Sequence, residues 1–329
     1  MENNILVTGG AGFIGSHLVR MLLKMGKSVC ILDDFSTGRA DNIEDIKHNK
    51  KLTIIRGSIT DETLLEKAIE DCDLIYHLAA TVGVKNVVEK PLETIIYDSV
   101  ATNLVFKYAS SHGVKVVLTS TSEVYGKSKV YPFSESSDVI IGPPDINRWS
   151  YACSKLLDEF LAIGYHRERK LSVVIVRLFN IIGPRQIGYY GMVIPRFFKS
   201  ALTNKPIHIY GDGTQTRCFT YIDDAIDIII KLTNCKKADG QVINLGSTNE
   251  ISIRDLAYAI KKITKSSSKI VFEPYEKYYG KNFQDIKKRI PDLTKLKKIA
   301  GRIPVIKMND ILRKMYLYFK THPQELGKI

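Results

Sequence analysis

Asn4-Ile5-Leu6-Val7-Thr8-Gly9-Gly10-Ala11-Gly12-Phe13-Ile14-Gly15-Ser16-His17 decides the fold of this chain. Asn4 to Thr8 is a short apolar run, as in a buried parallel strand. Glycines follow at once, spaced Gly-x-x-Gly-x-x-Gly from Gly9. Phe13 to Met25 then reads as an amphipathic helix closed by Gly26, and Ser28-Val29-Cys30-Ile31-Leu32 as a second strand ending at Asp33-Asp34. Strand, glycine turn, helix and strand make the βαβ unit that seats a pyrophosphate on a helix N-terminus. The glycines allow close backbone approach and tight helix–strand packing. A carboxylate closing the second strand accepts ribose hydroxyls and repels a 2′-phosphate, which selects NAD over NADP. Asp33 fits that role better than Asp34, which begins the turn. Arg39, further along the Ser-Thr-Gly loop, is the residue that could accommodate a phosphate instead.

The same alternation continues outward. Leu52 to Arg56, Asp73 to His77, Val114 to Thr119 and Leu171 to Leu178 read as parallel strands, with helices over Glu62 to Glu70 and Thr94 to Ser111. This predicts an α/β fold: a Rossmann-type, doubly wound parallel sheet with the cofactor over its carboxyl edge. From about Ile181 the pattern breaks into shorter elements with Pro, Gly and aromatic loops. The expected organisation is a dinucleotide-binding domain over 1–180 and a smaller mixed α/β substrate domain over 181–329, with the helix at 223–232 returning to the first. There are no internal repeats and no low-complexity linker.

Composition agrees. The chain has 329 residues, 44% hydrophobic and 25% charged, ordinary for a globular protein. No apolar stretch approaches the roughly 20 residues needed to span a bilayer, and the first strand starts within a few residues of Met1, so neither a membrane span nor a signal peptide is expected. Cys30, Cys72, Cys153, Cys218 and Cys235 are odd in number, scattered and without metal-ligand spacing, as expected of reduced thiols in a cytoplasmic protein. Cys153 is placed for packing. The net charge of +13 would permit nucleic-acid or anionic-membrane attraction. Zinc-finger spacing, an RNA-binding aromatic signature and basic heptads are all missing, however, and much of the lysine follows Asp255 on surface helices. The excess reads as a solvated surface whose field draws in an anionic substrate.

Tyr151 and Lys155, in Trp149-Ser150-Tyr151-Ala152-Cys153-Ser154-Lys155, supply the chemistry. Four residues apart, they share one helix face. A free phenol, with a pKa of about 10, is a poor base at neutral pH. A neighbouring ammonium and an oxidised nicotinamide would lower that value and make the phenol a base for a sugar hydroxyl. Alone, Tyr-x-x-x-Lys is usually a surface pair. The glycine turn gives it its meaning.

With these flanks the chain resembles the extended short-chain dehydrogenase/reductase family of nucleotide-sugar epimerases, dehydratases and decarboxylases, over nearly its whole length. The likeness rests also on His77-Leu78-Ala79-Ala80, Ser120-Thr121-Ser122-Glu123-Val124-Tyr125-Gly126, Arg177-Leu178-Phe179-Asn180 running into Gly183-Pro184-Arg185, Tyr210-Gly211-Asp212-Gly213, Arg217 to Asp224, and Asn244-Leu245-Gly246. It implies an NAD site built from Gly9, Gly12, Phe13, Ile14, Gly15, Asp33, Ser58, Ile59, Leu78, Ala79, Ala80, Tyr151 and Lys155. It also implies a UDP-sugar substrate, no nucleic-acid or membrane partner, and a homodimer through four helices. Two residues depart from the family pattern: Ser58, where an aspartate is often found near the adenine, and Asp98, where an asparagine is frequent.

The triplet Thr121-Ser122-Glu123 resembles that of UDP-glucuronate decarboxylases, whereas 4,6-dehydratases typically carry Asp-Glu there. Thr121 is expected to hold the sugar O4 and the Tyr151 oxygen, with Ser122 beside it. Glu123, unnecessary in a simple 4-epimerase cycle, would handle a proton at C5; the bland alternative is a surface or capping glutamate. The resemblance implies C4 oxidation to a 4-ketone, which is β to the C6 carboxylate and drains its electrons as CO₂ leaves. The C5 proton then comes from Glu123, Ser122 or water. Arg217 and Arg289 resemble the residues that hold the diphosphate and the glucuronate carboxylate. Arg148 could do likewise or form a structural ion pair, and Arg185 could assist. Guanidinium forks suit such anions. Asn180, Val193 and Tyr210 are expected at the diphosphate and base. UDP-glucuronate decarboxylation is thus the leading expectation. A 4-epimerase on UDP-glucose, UDP-glucuronate or an N-acetylated relative is next, then a 5,6-dehydratase. A nicotinamide-sensing regulator of the same fold is the alternative from another class, and such a protein would not need the Tyr151–Lys155 pair.

Overall fold

The computed structural model describes residues 4–80, 91–188, 192–279 and 284–327. Six strands come from the first half: β1 (Asn4–Thr8), β2 (Ser28–Asp33), β3 (Leu52–Arg56), β4 (Leu74–His77), β5 (Lys115–Thr121) and β6 (Val173–Leu178). The seventh strand, β7 (Gln241–Leu245), comes from far beyond residue 180. The sheet runs β7-β6-β5-β4-β1-β2-β3, and every pair in it is parallel. The expected parallel sheet is therefore present, but its edge beside β6 is closed by the later half of the chain.

Apolar strands of this kind need cover on both faces. Helix α1 (Phe13–Lys24) contributes Leu18, Val19 and Leu22, and α6 (Ile222–Thr233) contributes Ile226 and Ile229, to one buried layer with Val7, Val29 and Val176. Helices α2 (Glu62–Glu70), α3 (Pro91–His112) and α4 (Arg148–Arg169) cover the other face with Leu65, Val105, Phe106 and Ala162 against Leu6, Leu32 and Ile75. Helix α6 thus shares the buried layer of α1. The Asp61 carboxylate accepts from Leu64 N at 3.0 Å and starts α2, offsetting one of the unpaired N–H groups of its first turn.

The rest of the second half makes small two-stranded pieces. Ile207–Tyr210 pairs with Ile270–Glu273, Thr216–Cys218 with Glu250–Ser252, and Ile181–Ile182 with Thr220–Tyr221. Helix α5 (Val193–Leu202) buries Ile194, Phe197 and Phe198 in the same core as α1. These pieces stand over the carboxyl ends of β1, β2, β4, β5 and β6. The order of connection reverses between β1 and β4, the place where open α/β sheets leave a crevice. Among the described residues no helix is long and apolar enough to cross a membrane.

Candidate active site

The crevice begins at the glycine turn. Gly9 has φ +71°, and a Cβ there would lie 2.8 Å from Ala79 N. A Cβ on Gly15 would stand 2.2 Å from Gly9 O, so glycine alone lets helix and strand close up. Gly12 begins α1 in extended geometry and lines the crevice together with Phe13, Ile14 and Gly15 of the first turn. Asp33, at the end of β2, accepts from Ala11 N at 2.8 Å and Phe35 N at 2.9 Å. Burial raises its carboxyl above the ordinary value, against those two bonds. Arg39 lies near Glu325 and Asp41, with nitrogen–oxygen distances of 3.4 and 3.3 Å, so its charge is met from within the protein.

Gly9, Gly12, Phe13, Ile14, Gly15, Asp33, Ile59, Leu78, Ala79 and Ala80 all line a cleft of about 840 Å³. Ser58 does not. Its hydroxyl lies 2.7 Å from that of Thr60, and its neighbours Gly57 and Ile59 face the cleft instead. The cradle fits a dinucleotide: a glycine-backed helix start for the pyrophosphate, and a strand-end carboxylate for the ribose, whose nearby Arg39 is met by Glu325 and Asp41.

Tyr151 and Lys155 face the cleft from the first turns of α4. Their electrostatics differ from the expectation. Burial pushes the Tyr151 phenol up to about 12, and the opposing pull of Lys155 does not reverse this. Asp98, Glu123 and Asp158 add to the rise. Without a ligand the phenol is thus raised, its burial outweighing the lowering by Lys155. Lys155 Nζ instead lies 3.1 Å from Asp158 Oδ2. Burial works against the ammonium, but Asp158, Tyr151 and Asp98 together hold its pKa above the ordinary value.

Thr121 ends β5, and its hydroxyl accepts from Glu123 N at 3.2 Å, turning the chain into one short helical turn, Ser122–Tyr125. That turn aims Glu123 into a buried cluster of charges. Arg289 Nη2 lies 2.6 Å from Glu123 Oε1, and Arg148 Nη2 lies 3.2 Å from Oε2. Arg217 Nη2 reaches both oxygens of Asp285, at 2.9 and 3.1 Å, and Arg148 lies 3.5 Å from Asp285 Oδ1. Tyr275 donates to Asp285 Oδ2 at 3.1 Å. Arg148, Arg217 and Arg289 are only 7%, 9% and 8% exposed. Burial would raise both carboxyl groups, yet the arginines hold them below their ordinary values. Burial also lowers Arg289 to about 10. Among the described residues three guanidinium groups face two carboxylates, an excess of one positive charge in that set. The Arg289 Nε, moreover, has no hydrogen-bond partner among the described residues. The arrangement can receive one more anion.

The far end of the cleft holds Asn180, Arg185, Val193 and Tyr210. Asn180 Nδ2 donates to Cys218 O at 3.1 Å, and Arg196 donates to the Tyr210 hydroxyl at 2.6 Å. All the sequence-predicted substrate residues thus lie on one cleft. Sequence reasoning missed Asp285, Arg196, His208, Gln215 and Tyr275, which line it as well. Asp285 had a readable signal, standing four residues before Arg289 in a quoted segment. It also missed Asp158, three residues after Lys155 and so on the same helix face.

The comparisons agree with this geometry. Residues 6–315 match the family model described as GDP-mannose 4,6 dehydratase. The chain is 43% identical to a UDP-N-acetyl-alpha-D-glucosaminuronate decarboxylase of Bacillus cytotoxicus, over 97% of this chain and 98% of that one. It is 34% identical to UDP-glucuronic acid decarboxylase 4 of Arabidopsis thaliana, over 96% of this chain and 68% of that one. A solved UDP-glucuronic acid 4-epimerase from Bacillus cereus, in complex with UDP-glucuronic acid and NAD, is similar at TM-score 0.87 and 34% identity, covering 97% of this chain and 99% of that one.

Proposed function

Because the chain belongs to the GDP-mannose 4,6 dehydratase family, within the extended short-chain dehydrogenase/reductases and their NAD-dependent nucleotide-sugar enzymes, we propose that it decarboxylates a UDP-hexuronate. UDP-glucuronate leads as substrate. The name of the 43% identical relative adds the 2-acetamido sugar acid as the second to try. The observation that carries the reading is the excess positive charge of the Arg148–Arg217–Arg289 cluster beside Glu123 and Tyr151. A neutral hexose brings no anion to that end of the cleft; a hexuronate brings one.

Gly9, Gly12, Gly15 and Asp33 would hold NAD, which when bound would supply the acceptor for the C4 hydrogen. Tyr151 takes the O4 proton, with Thr121 and Ser122 aligning the hydroxyl. Positioned proton transfer of this kind is worth about 10²–10⁴ in rate. Arg289 and Arg148, with Arg217 beside them on Asp285, hold the C6 carboxylate and must loosen as it departs as CO₂, while Arg185 faces the diphosphate. Glu123, held ionised by both arginines, carries no proton of its own, so the proton that replaces the carboxylate at C5 comes from the Ser122 hydroxyl or a water beside it. The test is to load the enzyme with NAD, feed UDP-glucuronate and its 2-acetamido counterpart separately, and follow products by mass. Loss of CO₂ supports the reading, and unchanged mass with inverted C4 replaces it with a 4-epimerase. The similarity to the Bacillus cereus epimerase keeps that second reading in view.

Two further parts of the reading concern assembly and place. Leu92, Val100, Leu157 and Phe160 expose apolar surface on α3 and α4, Phe160 at 68%, which supports a homodimer through those helices. The five cysteines are free thiols, which supports a cytoplasmic setting.

A further inference from the structure

We propose that Glu325, near the C-terminal end of the chain, is a specificity-determining residue for the dinucleotide. It engages the Arg39 guanidinium and so denies that charge to a cofactor bearing a 2′-phosphate. The inference rests on the cleft over Gly9, Gly12 and Gly15 as an NAD site, and it adds a second barrier to the one Asp33 supplies.

Arg39 stands where a 2′-phosphate would look for a cation. It lines the cleft together with Asp33 and Gly38. Its backbone N–H donates to Ala11 O at 3.0 Å, and Ala11 N donates to Asp33 Oδ2 at 2.8 Å. One residue of the glycine turn thus joins the arginine to the carboxylate that meets the ribose. Gly38, just before Arg39, comes so close that a Cβ on it would lie 2.6 Å from Asp33 Oδ1. A guanidinium beside a ribose suits a phosphate through its paired terminal nitrogens.

Both of those nitrogens face Glu325 instead. Nη1 and Nη2 of Arg39 lie 3.5 and 3.4 Å from Glu325 Oε2, across 286 positions of sequence. Asp41 Oδ2 is 3.3 Å from Nη2, but its side chain is 61% exposed, and water weakens its hold. The Glu325 side chain is only 11% exposed and that of Arg39 18%, so their attraction is screened less.

Packing brings Glu325 to this place. Helix Met308–Thr321 buries Ile311, Leu312, Met315 and Phe319 in the layer that holds α1. The chain then turns at His322, whose carbonyl accepts from Glu325 N at 3.0 Å, and Leu326 packs against the same layer. Arg185 and Tyr318 also feel the Glu325 charge. A 2′-phosphate therefore meets carboxylates at Asp33 and Glu325, with Arg39 already engaged. A 2′-hydroxyl asks nothing of Arg39, so the pairing leaves NAD untouched.

The test is titration calorimetry of NAD and NADP on the full chain, without sugar. Glu325→Gln keeps the shape and removes the charge. Its dissociation constant for NADP should fall by about tenfold or more, as for one charged hydrogen bond gained, while that for NAD changes by no more than about twofold. Adding Arg39→Ala to Glu325→Gln should abolish the gain, because the released guanidinium is its source. An NADP constant unchanged in Glu325→Gln, or a gain that survives the loss of Arg39, overturns the inference. So does a wild type that binds NADP as tightly as NAD. If Glu325→Gln does not fold, Arg39→Ala alone decides: an engaged guanidinium gives NADP nothing, so an unchanged NADP-to-NAD ratio supports the inference and a selective weakening of NADP overturns it. A wild type that binds NAD but turns over no UDP-hexuronate defeats the proposed function and leaves Glu325 to be judged on its own result.

Discussion

Replacing Arg289 by alanine should separate the recognition of a sugar acid from the recognition of a sugar nucleotide. In the structure Arg289 Nη2 stands 2.6 Å from Glu123 Oε1, and Arg148 holds the other oxygen at 3.2 Å. Removing Arg289 leaves two guanidinium groups and two carboxylates. The internal charges then balance, so folding should lose less than the roughly 3–5 kcal/mol typical of a broken buried pair. The ligand fares worse, because its carboxylate now meets a neutral cluster. A hydrogen bond to a charged group is worth about 1.5–3 kcal/mol, which is roughly 10- to 150-fold in affinity. Titration calorimetry on the NAD-loaded enzyme should show UDP-glucuronate weakened within that range, and UDP-glucose changed by no more than about threefold, since it makes no carboxylate contact. Arg289→Lys should fall between, having the charge without the planar fork. Equal weakening of both ligands would mean that Arg289 serves the nucleotide or the fold, and the charge-excess reasoning would be refuted.

Other outcomes follow from single features. Tyr151→Phe should lower turnover by about 10²-fold or more while leaving the dissociation constant for NAD nearly unchanged, as read by fluorescence quenching. Gly15→Ala would place a methyl 2.2 Å from Gly9 O, and should abolish NAD binding in a protein whose melting temperature also drops. The lowered carboxyls of Glu123 and Asp285 contribute stability that is complete above their ordinary values of 4.5 and 3.8 and is lost as pH falls through the folded values. Asp285→Asn should therefore flatten the acid limb of a pH–melting curve, and an unaltered limb would count against the cluster. Phe160→Glu should convert the expected dimer to monomer in analytical ultracentrifugation.

Much of this was readable in the chain because the cofactor half is written in local patterns. Gly9, Gly12 and Gly15 answer a steric demand that lies within a dozen residues, and β1, β2, β4 and β6 each carry a short apolar run. The edge strand Gln241–Leu245 was not legible as part of the sheet. Five residues carry no hint of a partner more than sixty positions away, and Asn244-Leu245-Gly246 entered only as a motif. The site shows the same division. Arg148, Arg217, Arg289 and Glu123 could be named one by one from resemblance, but their joint charge appears only when the fold stacks four segments. The phenol of Tyr151 was misjudged because the sequence shows the neighbouring lysine and hides the burial. The structure supplies that burial, and with it the carboxylate of Asp158.

The late arrival of β7 has a consequence for how the protein can be made. Until residue 245 has left the ribosome, Val173–Leu178 is an open apolar edge with a row of unpaired backbone groups, ready to join another nascent copy. A gene cut after residue 180 should therefore yield inclusion bodies, and the two halves should recover solubility only when synthesised together.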